Sequence, residues 1–226
     1  MELKVKSKGK TKKINIDDSI ISIQYTNSDI LDNLCSDYSV SIIDNLDDFF
    51  ISKTVLDEIS IYDKFPELGV VTDVMQLLGL SRDFFDKSIN DTSTTEKIYL
   101  NILRNLGKTS DIIVFKDIFL GLDLFNQKKI KSVINYLKAN NNTVIICSSD
   151  VNVLYNLADY SIICNNTSIK GGLTDEIYTD VKTLLKLELE VPTLPYITYK
   201  AKEEKNIKLF YSKDVRDIIK DIYKHV

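Results

Sequence analysis

The sequence predicts an α/β protein with a mostly parallel sheet flanked by helices, and three observations predict it. Ile112–Phe115 is an unbroken apolar run, the pattern of a strand buried on both faces, and charge arrives abruptly at Lys116 and Asp117. The turn Gly121-Leu122-Asp123 leads into a helical pattern over Leu124–Lys138, and a second apolar run, Thr143–Cys147, ends in Ser148-Ser149-Asp150. Two such strand–helix units in succession give parallel strands joined by right-handed crossovers. Glycine (7) and proline (3) are scarce among 226 residues, which argues against a turn-rich β-sandwich. In an open α/β sheet, ligands bind at the carboxyl ends of the strands, so Lys116 and Asp117 mark the edge where function is sought.

The other elements follow in order. Met1–Ile16 alternates apolar residues with lysines about a Gly9-containing turn, which predicts a small hairpin. Ser19–Ile23 reads as a buried strand, Asn27–Leu34 as the start of a helix capped by Asn27 or Ser28, and Ser39–Ile43 as another strand. Thr54 caps a helix whose first turn carries Asp57 and Glu58. Val70, Val71, Val74, Leu77 and Leu78 have helical spacing, and Gly79-Leu80 ends that helix. Phe84 and Phe85 are expected to pack this helical region, and Ile98–Leu106 continues it. Val151–Ala158 reads as a helix, Ser161–Cys164 as a strand, and Asn165-Asn166 as a tight turn. Ile169–Asp180 gives strand, turn and helix start, and Val181–Leu189 continues the helix. Pro192 and Pro195 bracket a turn or linker, and Ser212–Lys224 is amphipathic.

Composition bounds the function. An apolar fraction of 44% supports a sizeable core, and a net charge of −4 gives no reason to expect nucleic acid as a partner. Lysines cluster at positions 4, 6, 8, 10, 12 and 13; a solvated hairpin is one reading and weak attraction to anionic lipid the other. Cys35, Cys147 and Cys164 lack metal-ligand spacing and read as buried free thiols of a reducing compartment. His225 is the only histidine, so neither a metal cluster nor a histidine-based triad is expected. No apolar run approaches the roughly 18 residues that span a bilayer, and no apolar signal region stands at the start. The chain is therefore expected to be soluble or peripheral, and cytoplasmic.

Glycine placement restricts nucleotide chemistry. A phosphate loop needs glycines because its backbone must adopt positive φ and approach the phosphates closely. Only Gly9 precedes residue 69. The triplets Gly9–Thr11 and Gly107–Thr109 lack the second glycine five positions earlier, where Lys4 and Ile102 stand.

In their order, these stretches resemble the ATP-binding subunit of an ABC transporter. That family has an apolar strand, Asp-Glu-Pro-Thr, one residue, Gly-Leu-Asp, a helix, and a strand ending Thr-His-Asp. Anchoring on Gly121-Leu122-Asp123 places Lys116 at the magnesium-site aspartate, Asp117 at the catalytic glutamate and Ser149 at the switch histidine. Asp44-Asn45-Leu46-Asp47-Asp48 stands at Gln-Asn-Pro-Asp-Asp, so Asp44 replaces the glutamine. Thr54-Val55-Leu56-Asp57-Glu58-Ile59 matches Thr-Val-x-x-Glu-Ile, a form characteristic of the energy-coupling-factor type. Thr92-Ser93-Thr94-Thr95-Glu96-Lys97 stands at the signature Leu-Ser-Gly-Gly-Glu-Lys. In the phosphate-loop region, around Asn27 and Ser28, Leu31 falls at the phosphate-binding lysine and Asp32 at the magnesium-binding serine. Leu187–Pro192 and the final amphipathic helix resemble the tail of energy-coupling-factor ATPases.

The resemblance implies an ABC ATPase-like (P-loop NTPase-like) domain over 1–190. Within it lie a helical subdomain at about 63–106 and a trimmed N-terminal β-subdomain, and a C-terminal extension follows at 191–226. With these replacements it implies a catalytically degenerate subunit, without bound ATP or magnesium, that serves as the structural half of a heterodimer with an intact ABC ATPase. Gly121, Leu122 and Asp123 would face that partner. Phe84 and Phe85 would face a transmembrane coupling subunit at the cytoplasmic side of the plasma membrane. The alternatives are a divergent but active ATP-hydrolysing subunit, or a soluble regulatory interaction protein retaining only the fold. If Lys116 is buried it needs an acidic partner, with Asp32, Asp117 and Asp44 as the candidates.

Overall fold

The computed structural model describes residues 2–7, 10–15, 20–25, 29–45, 49–61, 68–106, 108, 110–166 and 168–224. Asn27, Ser28, Asp47, Asp48, Gly9, Gly107 and His225 lie outside the described residues. The chain is α/β. Its strands are β1 (Glu2–Ser7), β2 (Lys10–Asn15), β3 (Ile21–Tyr25), β4 (Val40–Asp44), β5 (Ile112–Lys116), β6 (Thr143–Cys147), β7 (Tyr160–Cys164) and β8 (Ile169–Leu173). Its helices are α1 (Asp29–Asp37), α2 (Val55–Ile59), α3 (Leu68–Leu78), α4 (Thr94–Asn105), α5 (Leu124–Ala139), α6 (Val151–Leu157), α7 (Thr174–Thr179), α8 (Val181–Lys186), α9 (Thr193–Lys205) and α10 (Val215–Ile222). Contacts group the chain into two units, one of Met1–Ile16, Ile21–Asn33 and Ser149–Val226, the other of Asp17–Ile20 and Leu34–Ser148.

The second unit carries three parallel strands in the order β4-β5-β6. Ile112, Val114 and Phe115 of β5 and Val144–Ile146 of β6 are fully buried, as the apolar runs predict for strands covered on both faces. The register sets Asp44, Lys116 and Cys147 side by side, so all three strands end level at their carboxyl edge. α5 buries Ile130, Val133, Ile134 and Leu137, one stripe at helical spacing. α3 packs against α5 through its own stripe of Val71, Val74, Met75 and Leu78. Gly79 ends α3 at φ +69°, and Leu80 donates its N–H back to the Met75 carbonyl (2.9 Å), a left-handed stop that glycine makes without strain.

In the first unit β3 pairs in parallel with β7, and β8 returns antiparallel to β7. β1 and β2 form the expected hairpin, with Leu3, Val5 and Ile14 buried on one face. Several polar groups inside this unit pair with one another. Ser161 Oγ lies 2.7 Å from both Ser22 Oγ and Thr174 Oγ1, joining β7 to β3 and α7. Gln24 Nε2 donates to the Glu190 carbonyl (2.9 Å). α10 turns Ile218 and Asp221 inward, and Asp221 Oδ2 accepts from the Phe210 N–H (2.9 Å).

Two expectations are corrected. The segment between Pro192 and Pro195 is not a linker but the start of α9: Pro192 is its N-cap and Pro195 falls in its first turn. There a missing N–H costs nothing, because the first helical N–H groups have no partner inside the helix. Cys35 is exposed, whereas Cys147 and Cys164 are buried. α1 turns Ile30, Leu31 and Leu34 inward, and the residue after Leu34 points away from them. Burial pushes the Cys164 thiol up to about 12, and thiolate is the reacting species. Native protein titrated with an aromatic disulfide is therefore expected to release one equivalent of thiolate rapidly and all three only after denaturation; rapid release of two or three would contradict the burial.

Candidate functional site

The carboxyl edge of β4-β5-β6 holds the residues singled out by the sequence. Lys116 Nζ lies 2.7 Å from Asp44 Oδ2, an ion pair across neighbouring strand ends. Among the three candidate partners of Lys116, Asp44 is the one that makes this bond. The hydrogen bond to Asp44 raises the Lys116 pKa; burial works against it, and the charges of Asp44, Asp117 and Cys147 add to the rise. Both backbones are tied as well. Asn45 donates its N–H to the Lys116 carbonyl (3.1 Å) and its Nδ2 to the Leu120 carbonyl (3.1 Å), while Asn101 Nδ2 donates to the Asp44 carbonyl (2.8 Å). A lysine whose folded pKa is raised contributes stability that is complete below its reference value of 10.5 and vanishes as pH climbs through the raised value. Lys116 is 33% and Asp44 21% exposed, so the contribution of the pair is about 1 kcal/mol or less. The stability gap between the wild type and Lys116→Met is expected to be constant at neutral pH and to close above it; a gap that widened with alkali would reverse the assignment.

Asp117 follows at φ 50°, the left-handed region, where aspartate is one of the few residues at home. Its N–H donates to the Cys147 carbonyl (2.9 Å), and its carbonyl accepts from the Leu120 N–H (3.0 Å). The Asp117–Leu120 turn leads to Gly121 at φ +74° and to Asp123, whose Oδ1 caps α5 by accepting from the Asn126 N–H (2.7 Å). Gly121, Leu122 and Asp123 thus serve the local turn. Ser149 lies after β6 with its side chain exposed.

The remaining predicted residues serve their own local structure. Leu31 is 7% exposed and belongs to the core of α1, and Asp32 beside it is exposed. Ser93 is the N-cap of α4: its Oγ accepts from the Glu96 N–H (3.2 Å), and Glu96 Oε2 accepts from the Ser93 N–H (2.8 Å). Thr94 and Thr95 are the first helical residues. Glu96 also pairs with Lys87 at 2.8 Å. Phe84, expected to face a membrane partner, is 5% exposed inside a short 3-10 helix, so it is core, and Phe85 is half-buried.

Sequence reading missed a buried polar cluster next to this edge. Arg104 Nη1 lies 3.0 Å from Glu58 Oε1, both side chains being nearly inaccessible. Glu58 Oε2 accepts from the N–H groups of Ile51 (3.2 Å) and Ser52 (3.0 Å), and Arg104 Nη1 donates to the Phe49 carbonyl (2.8 Å). Arg104 Nε donates to Asn101 Oδ1 (3.1 Å), so the cluster reaches Asp44 through Asn101. Asn101, Arg104 and Asn105 recur at helical spacing between Leu100, Ile102 and Leu103, and that amide–guanidinium stripe inside an apolar helix was the available signal.

With this geometry in place, comparison with solved structures gives the class. The chain aligns to the structure of cbiO1 from Clostridium perfringens, part of the ABC transporter complex cbiONQ, with a TM-score of 0.62 and 15% identity over 87% of this chain and 98% of that one. It aligns to a bacterial Atm1-family ABC exporter with ATP bound at a TM-score of 0.64 and 14% identity, over 80% of this chain and 38% of that one. The chain has the ABC ATPase fold. Within that class its sequence is similar to energy-coupling factor transporter ATP-binding proteins. That of Mycoplasma mobile is 24% identical over 153 residues, 67% of this chain and 49% of that protein. That of Methanosphaera stadtmanae is 26% identical over 174 residues, 74% of this chain and 62% of that protein. The chain spans about half the length of several of the curated relatives it matches. No protein-family model matches it.

Proposed function

We propose that this chain is a catalytically inactive counterpart of an energy-coupling-factor ATP-binding subunit, acting as the structural half of an ATPase dimer on the cytoplasmic face of a membrane. The observation that carries the reading is the Lys116–Asp44 ion pair at the strand ends. Phosphoryl transfer depends on metal ions and cationic donors that hold the phosphates and neutralise developing charge. Magnesium takes oxygen ligands in near-octahedral geometry, yet the side chain delivered here by β5 is an ammonium already engaged by a carboxylate. The residues do not suit the ion. Leu31 is packed in apolar core, and Ser93 and Glu96 cap each other. Loss of one charge-stabilising donor typically costs about 2.7–4 kcal/mol of transition-state stabilisation.

Exposed apolar side chains support the partner role. Leu124 and Phe125, 77% and 66% exposed, adjoin the Gly121–Asp123 turn, the expected face toward an intact ATPase subunit. Phe49 and Ile51, 74% and 65% exposed, sit on the segment held by Glu58 and Arg104, and replace Phe84 as the face offered to a membrane-embedded subunit.

Thermal unfolding with and without millimolar Mg-ATP tests the reading. A ligand at 100 times its Kd adds about 2.7 kcal/mol; no shift is expected, together with co-purification of an intact ATPase subunit from cells. A shift accompanied by phosphate release that Asp117→Asn abolishes would overturn it.

A further inference from the structure

The β1–β2 hairpin carries a one-sided charge pattern that the proposed partner role does not require. Residues 1–16 of the sequence hold six lysines against one acid, Glu2, in a chain whose net charge is −4. Leu3, Val5 and Ile14 fill the inner face, so strand alternation assigns Lys4, Lys6 and Lys13 to the other. Lys4 stands directly opposite Lys13, and Lys6, opposite Thr11, is its diagonal neighbour. Like charges directly opposite across a strand pair destabilise it. Glu2, 3.2 Å from Lys13 Nζ, offsets part of that repulsion within the hairpin. Asn33 Nδ2 of α1 donates to the Lys6 carbonyl (3.1 Å), which ties this strand to the body of its unit.

We infer that this lysine face is a docking surface for anionic lipid headgroups. Charge complementarity points to an anionic partner, and the side-chain types select which. The hairpin has no arginine and no aromatic residue. It therefore lacks both the planar donors that read bases or clasp single phosphates and the rings that stack on single strands. Lysines alone give diffuse, geometry-tolerant attraction, which suits a fluid charged surface. The site shares no residue with the strand-end edge and needs no nucleotide, so it stands or falls separately from the inactive-subunit reading.

Sedimentation of the full chain with vesicles tests it, comparing phosphatidylcholine alone with phosphatidylcholine containing phosphatidylserine. Binding is expected only to the anionic vesicles, falling as salt rises. Each lysine near the surface is worth a factor of about five in affinity. The triple variant Lys4→Gln/Lys6→Gln/Lys13→Gln is therefore expected to bind about 100-fold more weakly while still melting cooperatively. Absence of binding by the unmodified protein at low salt, binding insensitive to salt, or binding unchanged in a folded triple variant would each overturn the assignment. Tighter binding to a DNA or RNA oligonucleotide than to the vesicles at equal salt would overturn the choice of lipid.

Discussion

Glu58→Ala is expected to lower the free energy of unfolding by about 3–5 kcal/mol, the cost of removing one partner from a buried ion pair. The loss has several parts. Arg104 would keep its charge in a site almost without water, and the N–H groups of Ile51 and Ser52 would lose their shared acceptor. Arg104 stays over the Phe50 ring, 4.9 Å from its centroid, but that contact is worth much less than the carboxylate. A domain stable by about 5–15 kcal/mol has little margin for such a loss. Urea unfolding should show the midpoint falling with the slope nearly unchanged. The double variant Glu58→Leu/Arg104→Met should cost less than either single truncation, because it leaves no charge behind. A single-variant cost below about 1 kcal/mol would mean that water reaches the pair.

Phe115→Ala is expected to cost about 3–5 kcal/mol by a different route, loss of transferred apolar surface plus the cavity left behind. Phe115 is fully buried in β5, the middle strand of β4-β5-β6, with neighbours on both sides and little freedom to collapse into the gap. Phe115→Leu keeps most of the volume and should cost less than half as much. Equal costs for the two would show that the strand tolerates repacking. Because Lys116 follows directly, the alanine variant should also loosen the Asp44 contact, visible as faster hydrogen exchange at Asn45, whose N–H bonds the Lys116 carbonyl.

The sequence was most legible where one periodicity dominates. β5 and β6 appear where apolar runs stop at a charge or a serine, and α3 and α5 where a single stripe repeats every three to four residues. β3 lies two residues later than its apolar stretch suggests, at Ile21–Tyr25, where it pairs with β7 and where buried Gln24 donates through Nε2 to the carbonyl of Glu190, 166 residues away. The same non-locality hid the partner of Lys116 and the partner of Arg104, which are 72 and 46 residues distant. Their pairing is set by strand register and helix packing, not by local pattern. Local chemistry also competes with motif matching: Ser93 and Glu96 fall at a family signature, yet their spacing is equally that of a capping box, and the helix uses them as one. α9 was hidden because proline was read as punctuation when it occupies the first turn.

On the inactive-subunit reading proposed above, the left-handed backbone at residue 117 bears on any attempt to install hydrolysis by protein engineering. Aspartate suits that conformation because its short side chain can bond to nearby main chain. Glutamate is one methylene longer and less suited to that local bond, although Glu188 holds φ 56° elsewhere in the chain, so lengthening the carboxylate at 117 would give up part of this local compensation. A longer side chain at 117 would therefore have to be judged together with the Asp117–Leu120 turn that holds it.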